Sequence, residues 1–508
     1  MITLDEFKKH SQNHNLIPVY DRIIADTLTP VSLYQNLTAE DDYSFLLESA
    51  TTGKKLNVGR YSFIGLEPEK VIKFNGKRII LIDKNDEPIN QVEDSDFNLY
   101  IEEFLGQFDP YVPDDLPPFS GGLVGYFGYE MISSWEDIYH DQPGKSLQKS
   151  DLPHSVLVLA RTVLAYDHLD NTLKIIYNVS LNGDETEKDK ERLYHQARDK
   201  IDGLIDQIGN APQEIIESGS DSLSPEEMTS NTTGEEFEKM VEQAREHIFA
   251  GEAFQIVLSQ RFSLTTDIPP FRVYRALRVS NPSPYMFFLN FPDLKLIGSS
   301  PEVLVRVEGE RIITRPLAGT RPRGGDGQED KEYRESLLKD EKERAEHTML
   351  VDLGRNDIAR VSRHGSVEVT ELMEIELYSR VMHLASQVEG IKRDDVSFMD
   401  VLSAVFPAGT VSGAPKIRAI ELIDQLEKEP RGPYAGTVGY LDFSGNLDTC
   451  ITIRTLFMKN GELTAQVGAG MVADSVPARE HQEILDKAEA LFEALQIVEE
   501  EPPHGLGN

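Results

Sequence analysis

Residues 452–467 read TIRTLFMKNGELTAQV, and this stretch decides the fold. Thr452 to Phe457 and Leu463 to Val467 are rich in β-branched and apolar residues. Asn460-Gly461 between them accepts the positive φ of a tight hairpin turn. The pattern recurs at Val303 to Val307 against Arg311 to Thr314, around Glu308-Gly309. It appears again at Val71 to Phe74 against Ile79 to Ile82, where Asn75-Gly76 predicts a two-residue turn, and at Val163 to Tyr166 against Leu173 to Tyr177, around Asp170-Asn171. Strands and helices alternate without the regular rhythm of a parallel sheet. The expectation is an α+β protein with large antiparallel sheets flanked by helices.

Around these hairpins the chain divides in two. A charged helix is expected over roughly Thr186 to Ile208, and the segment from Asn210 to Thr233 is rich in Ser, Glu, Thr and Pro without sustained periodicity. That segment predicts a linker at 210–233 between an N-terminal domain (1–209) and a second domain (234–497). The second domain opens on an amphipathic helix with Phe237, Val241, Ala244 and Ile248 on one face, Thr233 as N-cap and Gly251 at its end. The acidic, then Pro/Gly-rich tail at 498–508 is expected to be disordered.

Composition narrows the function. The 508 residues are 39% hydrophobic and 27% charged, enough for a buried interior in a soluble chain. No run approaches the roughly twenty apolar residues that span a bilayer. The start, MITLDEFKKH, has no apolar core after a basic segment, so a cytoplasmic location is expected. Lys plus Arg total 51 and Asp plus Glu total 87, a formal charge of −36. Such a surface repels nucleic acid and anionic membranes, so neither is an expected partner, and an anionic substrate would need a locally basic pocket. The single cysteine, Cys450, lies in a strand-like run and reads as a buried bystander.

Two helical segments carry paired glutamates, Glu343 with Glu346 and Glu480 with Glu483. Residues at i and i+3 share a helix face, so each helix can present two carboxylates to one point. Four converging carboxylates would need a hard cation between them, and Mg²⁺ suits oxygen ligands with sites left open for substrate. Such pairs on charged helices are usually solvated faces, and that alternative stands beside the metal site. Lys487, one turn past Glu483, could meet a substrate carboxylate. Gly468-Ala469-Gly470 lets backbone amides approach an anion closely.

Five strings carry a family resemblance: RPLAGTRPRG at 315–324, AEHTMLVDLGRNDIARV at 345–361, GTVSGAPKIRA at 409–419, LDTCITIRT at 447–455 and GAGMVADSVPAREHQE at 468–483. Together they resemble the chorismate-utilising enzymes over roughly 235–495, and within them most closely the anthranilate synthase component I family. The resemblance implies an antiparallel two-sheet β-sandwich core flanked by helices, with an N-terminal regulatory α/β portion packed against it. It implies Glu346 and Glu483 as Mg²⁺ ligands, supported by Glu343 and Glu480. One chorismate carboxylate would meet the metal and the amides of Gly468, Ala469 and Gly470, near Gly319 and Thr320. Arg454 and Tyr434 would hold the other, since a guanidinium fork matches a carboxylate. Glu302 takes the family's general-acid position, which calls for a pKa raised by desolvation. His383, with Thr410 close by, is the candidate for assisting pyruvate loss, although a lone histidine in such a run is more often a satisfied core residue.

Two positions discriminate among the relatives. Enzymes that add water to chorismate place a lysine where this chain has Gln255, and glutamine cannot act as that base. Aminodeoxychorismate synthases often carry a nucleophilic lysine where this chain has Ala318, so direct attack by ammonia is implied. Some of them lack that lysine, which keeps aminodeoxychorismate synthase as an alternative. Leu46-Leu47-Glu48-Ser49 and the 281–286 string NPSPYM resemble the family's tryptophan-sensing motifs, implying an inhibitor site at Ser49, Pro284, Tyr285 and Met286. No Cys–His–acid triad for glutamine hydrolysis is visible, so a separate glutamine amidotransferase subunit is the expected partner. A non-catalytic tryptophan-binding homologue is the rival from another class. It would be expected to have lost part of this residue set.

Overall fold

The computed structural model describes residues 2–38, 43–49, 59–138, 150–210, 228–378 and 381–496. Residues 211–227 of the expected linker and the expected tail lie outside them. Among the described residues the strands form two antiparallel sheets of twelve strands each, with helices packed outside them. This is the α+β two-sheet architecture that the hairpins predict.

The two sheets cross the expected division of the chain. In the first, Ser44–Glu48 pairs with Tyr285–Phe291, Leu47 opposite Phe287. In the second, Gly122–Phe127 pairs with Thr437–Asp442. Strands from before and after 210–233 therefore share their ladders and one interior. Alternation along single strands builds that interior on both faces. In Ser155–Ala160, Val156, Val158 and Ala160 enter the core between the sheets, while Leu157 and Leu159 enter a second core under the helices Phe97–Gly106 and Phe398–Val405.

Local chemistry matches the elements closely. The helix Gly234–Phe249 starts at Thr233, whose hydroxyl accepts from Glu236 N while the Glu236 side chain accepts from Thr233 N. This capping box satisfies two of the orphan donors at the helix start. Phe237, Val241 and Ala244 are buried, and Gly251 at φ 80° follows the end. The helix expected near 186–208 spans Glu187–Asn210.

Three hairpin details differ from expectation. The turn after Lys70–Phe74 has four residues, because Phe74 pairs with Ile79 and the Asn75 side chain accepts from the amides of Lys77 and Arg78. In Val303–Glu308 against Arg311–Thr314 the turn residues are Gly309 and Glu310, with Glu308 already paired to Arg311. Near the C-terminus, Asn460 and Gly461 do form a two-residue turn, both at positive φ (52° and 79°). Its first strand, however, begins at Thr455 rather than Thr452. Residues 452–454 instead carry the chain from Leu447–Ile451 in the second sheet to Thr455–Lys459 in the first. Arg454 makes the corner with φ 49°, a conformation uncommon outside glycine and worth attention where it falls at a cleft.

Candidate active site

A cleft of about 490 Å³ opens at this crossover between the sheets. Arg454 lines it, with Glu302, Thr410, Tyr434, Thr320 and His383 from other elements. Gly468, Glu483 and Lys487 complete the part of the wall that the sequence singles out. These residues lie up to 185 positions apart in the chain (302 to 487) and meet only because the two sheets interlock.

Glu302 follows Leu294–Ser300 and is 5% exposed. Its Oε1 accepts from the Leu317 amide at 3.3 Å and its Oε2 from the Thr410 hydroxyl at 3.3 Å. Burial outweighs these bonds and the nearby charge of Arg454, and pushes its pKa up to about 8. At neutral pH the carboxyl therefore keeps its proton, as a general acid must.

His383 lies on Val381–Ile391, opposite the bulge at Gly319 in Leu317–Pro322. Its Nδ1 is 3.1 Å from the Gly319 carbonyl and 3.1 Å from the Thr320 hydroxyl. A carbonyl only accepts, so the proton sits on Nδ1 and Nε2 keeps its lone pair. Burial, aided by Arg454 and Lys487, lowers its pKa to about 4, so the ring is neutral. Nε2 is buried and has no hydrogen-bond partner among the described residues. A satisfied core histidine would have one.

Arg454 makes no ion pair among the described residues, and burial lowers its pKa. A partly buried guanidinium without a carboxylate is costly, and an anionic ligand would supply the missing partner. Opposite it, the Tyr434 hydroxyl packs so close to Gly468 that a Cβ there would stand 2.4 Å away. Past Ala465 the strand Glu462–Met471 pairs on one side only, with Gln255–Thr265. The Gly468 carbonyl accepts from Lys487 Nζ at 2.9 Å. Alternation in an antiparallel ladder then puts the polar groups of Gly468 and Gly470 on the open side and those of Ala469 in the ladder.

Gln255 is not part of the cleft wall. Its Nε2 donates to Glu346 Oε1 at 3.0 Å, across Gly470, where a Cβ would meet the amide at 2.6 Å. Glu346 rises in pKa, first through burial and then through repulsion from Glu343 and Glu483. Glu480 rises for the same two reasons, with Glu483 as the neighbouring charge. The helices Glu341–Ala359 and Pro477–Gln496 thus turn their carboxylates toward one another. Glu343 is held by Arg321 at 3.2 Å, and Glu483 by Lys487 at 2.7 Å. Lys487 is therefore engaged with Glu483 and the Gly468 carbonyl rather than free for substrate. Among the described residues no group of three or more His, Cys, Asp or Glu is gathered closely enough to hold a metal ion. Glu483 repels both Glu346 and Glu480, a charge excess that a hard divalent cation would relieve.

A second cavity, of about 100 Å³, lies between the sheets where strands from both halves of the chain meet. Ser49, Pro284, Tyr285 and Met286 all line it. The two motifs meet because Met286 pairs directly with Glu48. Tyr61, Phe63 and Tyr440 supply aromatic walls, and Arg306 with Asp448, 3.2 Å apart, supplies both charges. The pocket thus joins an aromatic and apolar lining to an ion pair. Cys450 also borders it, buried, with its thiol pKa raised by burial, so it is no nucleophile.

Sequence reasoning missed Tyr378, which lines the active cleft edge-on to His383, ring centroids 5.4 Å apart. The signal was the hairpin itself, in which Glu376 pairs with His383. It also missed Arg306 and Asp448, whose side chains no local pattern marks.

A buried acid and an unpaired guanidinium in a cleft between two interlocked sheets define an enzyme for a small anionic substrate. Residues 42–493 match the model of the chorismate binding enzyme family, and the chain belongs to that family. Among its relatives is anthranilate synthase component 1 of Acetivibrio thermocellus, 44% identical over 97% of this chain and 98% of the relative. The protein of the same name from Aquifex aeolicus is also 44% identical, over 98% of each chain. The crystal structure of anthranilate synthase component I from Streptococcus pneumoniae superposes with a TM-score of 0.74 at 36% identity, covering 93% of this chain and 99% of that one.

Proposed function

We propose that the protein converts chorismate and ammonia to anthranilate and pyruvate, as the chorismate-using component of an anthranilate synthase. The observation that carries this is Glu302, a protonated carboxyl facing the unpaired Arg454 across the cleft. Arg454 and Tyr434 bind one substrate carboxylate, and the open edge at Gly468 and Gly470, near Thr320, receives the other. Glu346 and Glu483, with Glu343 and Glu480 behind them, would hold Mg²⁺, which when bound supplies positive charge for a substrate carboxylate. Gln255 orients Glu346.

Ammonia attacks the ring carbon beside the carboxylate-bearing carbon while Glu302 gives its proton to the ring hydroxyl, which leaves as water, and the new ammonium group then returns a proton to the Glu302 carboxylate. The lone pair on His383 Nε2 then takes the proton from the newly aminated carbon. The enolpyruvyl C–O bond breaks, the ring becomes aromatic, and the departing enol gains a proton to become pyruvate. Ala318, which lines the cleft, offers no nucleophile to compete with ammonia.

With chorismate, Mg²⁺ and ammonium, the isolated chain is expected to release anthranilate and pyruvate in equal amounts. Glutamine replaces ammonium only when a glutamine amidotransferase partner is added, because the nucleophile for its hydrolysis is absent from the described site. His383→Ala lets aminodeoxyisochorismate accumulate. Formation of 4-amino-4-deoxychorismate by the wild type would instead make the protein an aminodeoxychorismate synthase, and no product at all would favour a non-catalytic homologue. A cytoplasmic setting suits this role, and no helix among the described residues is long and apolar enough to cross a membrane.

The inter-sheet pocket is the proposed site of feedback inhibition by L-tryptophan. Its Ser49 hydroxyl is buried without a hydrogen-bond partner among the described residues, ready for a polar ligand group. Ser49→Ala and Met286→Thr are expected to raise the tryptophan concentration for half-inhibition by about 10-fold or more, leaving saturating turnover within a few-fold. Full sensitivity in both variants would remove the pocket from regulation.

A further inference from the structure

Behind the cleft lies a buried guanidinium to which neither the fold nor the proposed chemistry has assigned a part. Arg431 is 1% exposed. Its Nη1 donates to the Val411 carbonyl at 2.7 Å and its Nη2 to the Val257 carbonyl at 2.7 Å. Nε and Nη2 also grip both oxygens of Glu427, at 2.9 and 2.6 Å. Glu427 in turn accepts from the amide and hydroxyl of Ser259, at 2.8 Å each. The guanidinium lies 4.7 Å from the ring centre of Tyr129 and 5.6 Å from that of Tyr434, within cation–π range of both.

Three of these partners, Val257, Val411 and Tyr434, form the cleft wall. Val411 adjoins Thr410, whose hydroxyl holds Glu302 Oε2. We propose that Arg431 is the positioning residue for proton donation: from behind the wall it fixes Val257, Val411 and Tyr434, and through Val411 the Thr410 hydroxyl that aims Glu302. The inference rests on Glu302 being the general acid. It also gives the N-terminal portion a part in catalysis, because Tyr129 covers one side of the guanidinium. Lysine keeps the charge but has no fork, so it cannot reach two carbonyls and a carboxylate together.

The test compares Arg431→Lys, Tyr129→Leu, Tyr129→Phe and Glu302→Gln in the ammonium-dependent reaction of the full chain. Arg431→Lys is expected to lower kcat by about 100-fold through misplacement of the acid. Tyr129→Leu is expected to lower it by about 10-fold, and Tyr129→Phe, which keeps the ring, to recover most of that loss. A second readout separates positioning from mere stability. The groups facing Glu302 are the Leu317 amide, the Thr410 hydroxyl, the charge of Arg454 and the phenol of Tyr378, and dryness keeps its carboxyl protonated. A loosened wall admits water, so the falling alkaline limb of kcat should move to lower pH in Arg431→Lys and Tyr129→Leu. Loss of stability alone would lower the plateau and leave the limb in place, and that outcome overturns the proposal. If Arg431→Lys does not fold, the two Tyr129 variants decide by the same limb. Retained turnover in Glu302→Gln would reject the general acid itself, whereas its loss beside an unaffected Arg431→Lys would reject only the positioning.

Discussion

Glu302→Gln is expected to lower ammonium-dependent turnover by about three orders of magnitude, within the range for loss of a general acid. Glutamine keeps the shape of the side chain, its amide oxygen can still accept from the Leu317 amide, and its NH2 group can donate to the Thr410 hydroxyl, but it has no acidic proton for the departing hydroxyl. Chorismate affinity should change little, because Arg454 and Tyr434 are untouched. The wild-type rate should fall as pH rises through about 8, where the carboxyl loses its proton. Stability gives an independent check. The folded-state pKa lies above the usual carboxylate value, so between roughly pH 4.5 and 8 the folded state binds one more proton than the unfolded state. This contribution is fully present below the unfolded value and is lost as pH rises through the folded one, with a slope of about 1.4 kcal/mol per unit. Glu302→Gln should remove that slope, and melting curves at pH 5, 7 and 9 would show it. Turnover within 10-fold of wild type would assign the acid elsewhere.

Glu346→Gln and Glu483→Gln are each expected to weaken Mg²⁺ binding by at least about 100-fold, since even outer-shell partners of a metal typically contribute 10–100-fold. Turnover at low Mg²⁺ should collapse with it, while the fold survives, because neither side chain belongs to the buried core. Burial, and after it repulsion from Glu483, raises both Glu346 and Glu480. Removing the Glu483 carboxylate should bring Glu346 and Glu480 down only part of the way in the metal-free protein, since burial remains. Calorimetric titration with Mg²⁺ alone reads the affinity without turnover. Unchanged affinity in both variants would detach the glutamates from the metal, leaving them as the solvated faces that such pairs usually are.

Where interactions are local, the sequence was sufficient. Asn460-Gly461 forms its hairpin because only two φ angles are at stake. Thr233 and Glu236 cap their helix because the orphan amides lie within three residues. The strings that hold Arg454 and Gly468 pointed to a candidate site through their resemblance to a family, because each is a run of consecutive residues. Antiparallel sheets were legible because alternation and turns are properties of neighbouring residues.

Contacts between distant segments were decided only by the tertiary structure. The chain crosses sheets at 452–454, where the sequence shows an unbroken strand pattern, because the second sheet ends there and Arg454 turns the corner into the cleft. Gln255 reaches Glu346 rather than the cleft because strand Gln255–Thr265 passes behind Gly470. Lys487 is engaged with its own helix neighbour Glu483, since a lysine four residues on meets that carboxylate before any ligand arrives. Arg431, one arginine among many in the sequence, gained its place from carbonyls 20 and 174 residues away. Composition and periodicity report what a residue prefers, but which groups it meets, and whether water is left beside them, is fixed by the packing of the two sheets.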